Sequence, residues 1–413
     1  MLDLERFRLL ARLVQVRLRH LGRYIDRLWQ LNPAGQGRRA RRGGRYQAFI
    51  PDSIADRDFA LDAGAGAALH RATKALERLQ HVPSRVATLE AVAQNLLRSE
   101  SVASSRIEDI QISHRRLARA ARLTPEGRRG DNRAREVLGN VDAMKEAIEV
   151  GARSRIAVAD LIEIHQLLLR HADDRRISGV VRSTQNWIGG NAFSPTGAAF
   201  VPPPPEDVPG LLEDLCRFMA RDDLPPVIQA AIAHAQFETI HPFADGNGRT
   251  GRALIYAVLG RRGEVARYIP PVSPVLAAAP TAYIAGLTAY REGGISEWCA
   301  LFAEETARAA EEAERLAEEI ESLEEEWLRR AGEPRQGSAA RLLIGALPEQ
   351  PVIDAAGAGR LIGRSHVAVN NALRRLEEAG IVRRLNERKW GRVWECDELL
   401  DLVEDFERIV TAP

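Results

Sequence analysis

Cysteine is almost missing: the 413 residues hold three, Cys216, Cys299 and Cys396, with no C-x-x-C pair. Thiols so few and far apart exclude a disulfide framework and a thiolate metal centre; they read as buried or idle groups in a reducing compartment. An excess of one charge is missing too. A net charge of +1 gives no global field to draw nucleic acid or a membrane surface. No apolar run approaches the roughly 20 residues that span a bilayer. Arg and Asp interrupt the first residues, which leaves no signal-peptide core. The expectation is a cytoplasmic protein with no membrane partner. Aromatics are only 5% of a chain rich in Ala, Arg and Glu, a balance that favours helices. This length suits two or three domains around a substantial core.

What is present is unevenly placed. The stretch 1–45 is rich in arginine and carries Leu4, Phe7, Leu10, Leu13 and Val14 at helical spacing, followed by a Gly/Pro loop. It reads as a basic N-terminal extension. Helical periodicity follows over 46–130 and again over 134–150 and 156–171. Residues 177–190 mix β-branched residues with glycines and predict a short hairpin. Phe200-Val-Pro-Pro-Pro-Pro-Glu206 can be neither helix nor central strand, so it is an extended connector. Helices are expected at 208–219, at 226–240 up to Pro242, at 280–291 and at 296–330. The last is acidic over 304–326, with Ala309, Ala313, Leu316, Ile320, Leu323 and Trp327 near heptad spacing; it is a spacer packed on one side or a homodimer contact. After a linker at 332–338, helix, helix, helix and two short strands follow in order, an arrangement that resembles a winged helix-turn-helix. Between Arg360 and Trp394 nine Lys/Arg face three Glu, which makes DNA a candidate partner of residues 339–413.

The most informative string is His241-Pro-Phe-Ala-Asp-Gly-Asn-Gly-Arg-Thr-Gly-Arg252. It combines a base, a carboxylate able to take a metal, two glycines around an asparagine, and two arginines three apart. An apolar helix follows at once. Free N–H groups at a helix start cradle an anion, and arginines at i and i+3 share one face to clamp a polyphosphate. A base beside such a cradle points to attack on a phosphate. The neutral imidazole of His241 suits that role, with an ordinary pKa of about 6.5.

The twelve residues resemble the motif H-P-F-x-[D/E]-G-N-G-R-x-x-R of the Fic family (the Fic/Doc superfamily), whose characterised members mostly move AMP from ATP to a protein hydroxyl. The resemblance implies a mainly α chain: a Fic-type helical bundle over 131–310 with a β-hairpin flap, behind a helical N-terminal domain over 46–130. An acidic helix and linker (311–338) and the C-terminal winged helix-turn-helix (α+β, 339–413) complete it. It implies His241 as general base and Asp245 holding Mg²⁺. It also implies an ATP site formed by Gly246, Asn247, Gly248, Arg249, Thr250, Gly251 and Arg252. Asn186, Trp187, Ile188 and Gly189 match flap positions, which would pair with the target protein, and Tyr283 matches an adenine-side position.

Upstream, Ser104 to Glu108 resembles the family's inhibitory helix, [S/T]-x-x-x-E-[G/N], except that Asp109 stands where Gly or Asn is usual. The resemblance implies that Glu108 occupies Arg252 and misplaces ATP. Gly248, where a phosphate-moving branch carries lysine, favours AMP. Two other readings stay open: a DNA-binding regulator that uses the core as a nucleotide sensor, and a Fic enzyme moving another phosphate-linked group.

Overall fold

The computed structural model describes residues 21–30, 43–82, 86–123, 131–172, 174–386 and 391–411. Among them are fifteen α-helices and two small sheets. The expected helices are present, and the centre of the bundle follows from hydrophobicity. α7 (Pro226–Ile240), mostly apolar, and α8 (Asn247–Arg261) are buried on nearly every side, and α8 takes the polar Asn247, Arg249 and Arg252 inside with it. Around this pair lie α4 (Asn132–Gly151), α5 (Val158–Leu168), α6 (Val208–Met219) and α11 (Ile295–Arg330). No single described helix is long and apolar enough to cross a membrane.

The 36-residue α11 runs along α1 (Ala63–Gln80). Its stripe Ala309, Ala313, Leu316, Ile320 and Trp327 is buried within the chain, as a spacer packed on one side would have it. Several of its glutamates face outward, where Glu304 pairs with Arg71, and Glu311 and Glu314 with Arg78, while Glu312 and Glu324 are buried. α2 (Val86–Ile107) and α3 (His114–Leu123) lie beside α4, joined by a loop that carries Glu108.

The N-terminal reading needs correction. β1 (Gly22–Trp29) pairs antiparallel with β2 (Gly44–Pro51), from Gly22↔Pro51 to Trp29↔Gly44. Cross-strand aromatic pairs outweigh the helical spacing there: Tyr24 meets Phe49, and Trp29 meets Tyr46, edge to face. The amphipathic stretch over 4–14 and the loop at 32–39 fall outside the described residues.

The flap also differs from the expected hairpin. The segment before Gly189 finds its partner beyond Gly190: Ile188 bridges to Phe200, and Val181 to Phe243. The Pro-rich connector thus supplies the returning strand.

In the C-terminal unit, α12 (Ala339–Ala346), α13 (Ala355–Ile362) and α14 (His366–Glu378) match expectation. β4 (Arg383–Arg384) and β5 (Val393–Glu395) are shorter than expected. A third strand, β3 (Val352–Asp354), and a last helix, α15 (Asp397–Val410), join them, in sheet order β3-β5-β4. The unit's core residues Leu343, Leu373, Leu399 and Phe406 are continuous with the central cluster.

Candidate active site

α7 ends at His241, whose backbone is left-handed (φ 50, ψ 59), and Pro242 prevents further helix. That turn swings the following residues back over α8. Their carbonyls are held from three directions. Arg182, itself buried, donates to His241 O at 2.8 Å and to Pro203 O at 2.6 Å. Asn186 Nδ2 donates to Phe243 O at 2.9 Å and His241 O at 3.2 Å. Asn247 accepts from Phe243 N at 2.8 Å and donates to Phe243 O at 2.9 Å, closing the loop on itself. Phe243 stacks on His165 with ring centres 3.7 Å apart, and His165 Nε2 donates to Asp245 O at 2.9 Å. Burial pushes His165 down to about 4, so it is a neutral strut.

Gly246, at φ 76, caps α8, and its N–H goes to Asp245 Oδ1 at 2.7 Å. Asp245 is therefore not the N-cap, and its side chain stays 66% exposed, facing Arg249 Nη2 at 3.9 Å. Thr250 spends its hydroxyl on Gly246 O. Gly251 is small because Glu238 packs there: a Cβ would stand 2.5 Å from Glu238 Oε1. By position, the N–H groups of residues 247–249 lack intrahelical partners and can take an anion. The buried Arg249 leaves Nε without a partner.

Arg252 is fully engaged. It donates Nε to Ser104 Oγ at 2.9 Å, and Nη2 to Ser104 O at 2.7 Å and to Glu108 Oε1 at 2.9 Å. Burial works to raise the Glu108 carboxyl, but Arg252, Arg249 and His241 together hold it below the usual range. Asp109 takes the left-handed conformation (φ 61) that Gly or Asn would adopt more cheaply. Gly248 makes the contact sterically feasible. A Cβ there would stand 2.0 Å from Glu108 Oε1.

The His241 ring keeps 18% of its side-chain surface, with Nδ1 3.9 Å from Glu238 Oε2. Burial first, then Arg182, lowers its pKa to about 4, well below the expected 6.5, so the imidazole is neutral at pH 7. Burial raises Glu238 to about 7 against the pull of Arg252. His241 Nδ1, Glu238 Oε1, Arg249 Nε and Asn186 Oδ1 are buried without protein partners around the motif. Beside it opens a cavity of about 310 Å³ lined by Glu108, Glu136, Leu168, Asp174, Asp245 and Arg249.

Other expected site residues are less direct. Tyr283 does not line that cavity. It is buried, with its hydroxyl 2.8 Å from His234 Nε2 and the two rings stacked. Trp187 donates to Asn191 O at 2.7 Å and meets Trp29 edge to face. Ile188 is 40% exposed in the flap and Gly189 turns it at φ 73. Among the described residues no group of three acidic, His or Cys side chains could hold a metal.

A model of the Fic/DOC family matches residues 155–259, and one of the Fic/DOC family N-terminal region matches residues 67–149. The chain belongs to the Fic/DOC family. It is 30% identical over 258 residues to the protein adenylyltransferase Fic of Drosophila willistoni, covering 61% of this chain and 46% of that one. Against the protein adenylyltransferase Fic of Nematostella vectensis it is 36% identical over 142 residues, 33% of this chain and 30% of the other. The chain thus spans less than half the length of these relatives. A Fic family protein from Desulfovibrio desulfuricans G20 shares the fold, with a TM-score of 0.50 at 20% identity over 82% of this chain and 97% of that one.

Within the Fic region, Arg182, His165 and Glu238 are the site residues that sequence reasoning missed. Arg182 lies inside the segment assigned to the flap, and Glu238 stands one turn before His241. That i,i+3 spacing is the only sequence signal for it. Nothing local marks His165.

Proposed function

We propose that this chain transfers AMP from ATP to a Ser, Thr or Tyr hydroxyl of a protein, itself included, and that Glu108 restrains it. The observation that carries the reading is the neutral, partly open imidazole of His241 beside a helix start that has no side-chain cap and two buried arginines. His241 takes the proton of the incoming hydroxyl, whose oxygen forms a bond to the α-phosphorus. The bond from that phosphorus to the bridging oxygen breaks, and pyrophosphate leaves. The N–H groups of 247–249 and Arg249 receive the growing negative charge, and Arg252 joins them once free of Glu108. Asp245 fits a cation that takes one carboxylate plus phosphates and waters; a bound Mg²⁺ would offset charge on the α- and β-phosphates. The flap, whose Ile188 N–H and C=O already pair with Phe200 and Ala199, would present the target segment by main-chain pairing along its other edge. While Glu108 holds Arg252, the terminal phosphate loses its clamp and ATP lies badly for in-line attack.

The expected outcome for Glu108→Gly, incubated with Mg²⁺ and radiolabelled ATP, is stronger self-labelling than wild type. Mass spectrometry should show the added mass of AMP, not of phosphate. Equal labelling in the two proteins would remove the restraint. A different added mass would move the chain to another Fic chemistry.

The helix and strand order of 339–411 supports a winged helix-turn-helix. Its DNA-facing role is weaker. Arg383 pairs with Glu395 and Asp397, Arg384 with Glu377, and Arg375 donates to Ala331 O. Those arginines already serve the fold.

A further inference from the structure

The restraint on Arg252 is held in place by a part of the chain remote from it in sequence. Glu108 sits in the loop 108–113 between α2 and α3. The last turn of α2 carries Arg106, and α3 opens with His114. Both reach the same carboxylate. Arg106 Nη2 donates to Glu407 Oε2 at 2.5 Å, and His114 Nε2 lies 2.6 Å from Glu407 Oε1. Glu407 is buried on α15, and His114 is buried against it. One carboxylate thus fastens both ends of the loop that delivers Glu108.

The contact is wider than one residue. Along α3, Arg115 reaches Glu395 at 2.6 Å and Asp401 at 2.6 Å, and also Asp397. Arg119 makes a two-pronged contact with Glu395 at 2.6 and 2.7 Å. Glu404 accepts the Arg115 N–H at 3.3 Å. Acidic residues of the C-terminal unit thus meet basic residues of the inhibitory segment, with Glu395 fully buried at the centre. Buried charge pairs of this kind contribute geometric definition more securely than net stability, and removing one partner disturbs the other strongly.

We infer that the C-terminal unit sets the inhibition: Glu407 is a positioning residue that holds the 108–113 loop so that Glu108 meets Arg252. This rests on the reading of Glu108 as a restraint. Weakening the clasp frees the loop, Glu108 leaves Arg252, and the nucleotide site opens without any change in the site itself.

The test uses the full chain in four forms: wild type, Glu407→Gln, Glu108→Gly and the double variant. Self-labelling with radiolabelled ATP and the apparent KM for ATP are read for each. Expected is a rise of about tenfold or more in labelling for Glu407→Gln, the scale of a lost charge-assisted hydrogen bond. A lower KM should accompany it, with no further rise in the double variant over Glu108→Gly alone. A merely structural role for Glu407 would lower labelling in both backgrounds. Arg106→Met, which leaves Glu407 to His114, should reproduce the rise if Glu407→Gln fails to fold, and Arg106→Lys should restore restraint. If Glu108→Gly labels strongly while Glu407→Gln and Arg106→Met match wild type, the positioning inference is overturned and the restraint stands. If Glu108→Gly itself shows no gain, the restraint and the inference fall together. A rise from Glu407→Gln that adds to that of Glu108→Gly would place its action elsewhere and also overturn the inference.

Discussion

His241 shows how surroundings redefine a side chain. In water its imidazole would be partly protonated near pH 6.5, and a base in that state works at part strength. Burial and the neighbouring Arg182 guanidinium move its pKa to about 4. The proton-accepting form therefore persists to lower pH, with less affinity for the proton it takes. In the Glu108→Gly background, the self-labelling rate should stay level as pH falls through 6.5 and decline only toward about 4. An initial-rate profile checks this, and a decline centred near 6.5 would mean that the ring is hydrated in solution. Arg182 adds to the lowering by burial while holding the His241 and Pro203 carbonyls, so its charge and its hydrogen bonds serve the same turn.

At the level of elements, the loop between α2 and α3 depends on one backbone conformation. Asp109 adopts φ 61, and Ile110 N returns to Ser105 O at 3.0 Å to finish the helix end. A β-branched residue pays more than Asp in that region. Asp109→Val should displace Glu108 and raise self-labelling, whereas Asp109→Gly should keep the wild-type level. The pair is compared in one labelling assay with far-UV circular dichroism as a check on folding. The same scale shows what a sequence reveals. The helices of the bundle and the His241–Arg252 string are legible because periodicity and spacing are local properties. β1 and β2 lie in segments whose spacing predicts helix, since the pairing that overrides it joins residues as far apart as Gly22 and Pro51. The return strand of the flap was missed because a Pro-rich segment offers no strand signal, although its carbonyl groups still accept. Glu407 could not be found at all: its partner Arg106 lies 301 residues away.

For the molecule as a whole, the buried titratable groups oppose one another. Burial holds His165 and His241 at about 4 and His234 at about 3, below their ordinary 6.5. As pH falls from 6.5 toward these values, the unfolded chain binds protons that the folded chain refuses, and stability declines. Burial holds Glu100 and Glu238 at about 7, above their ordinary 4.5. Between 4.5 and 7 the folded chain keeps protons that the unfolded chain has released, so their contribution is lost as pH rises through 7. Glu238→Gln should therefore gain more in Tm over wild type at about pH 8 than at about pH 5, measured by calorimetry at both. A gain equal at both would show Glu238 ionised throughout.

Gly248 carries a last consequence. Its bare backbone is the floor on which the Glu108 carboxylate rests, and a single methyl there would collide with it. On the restraint proposed above, a chain that keeps the Glu108 contact is barred from growing a side chain at this position. Were that restraint lost, the position would be open to one, so control and the shape of the anion cradle meet at a single residue.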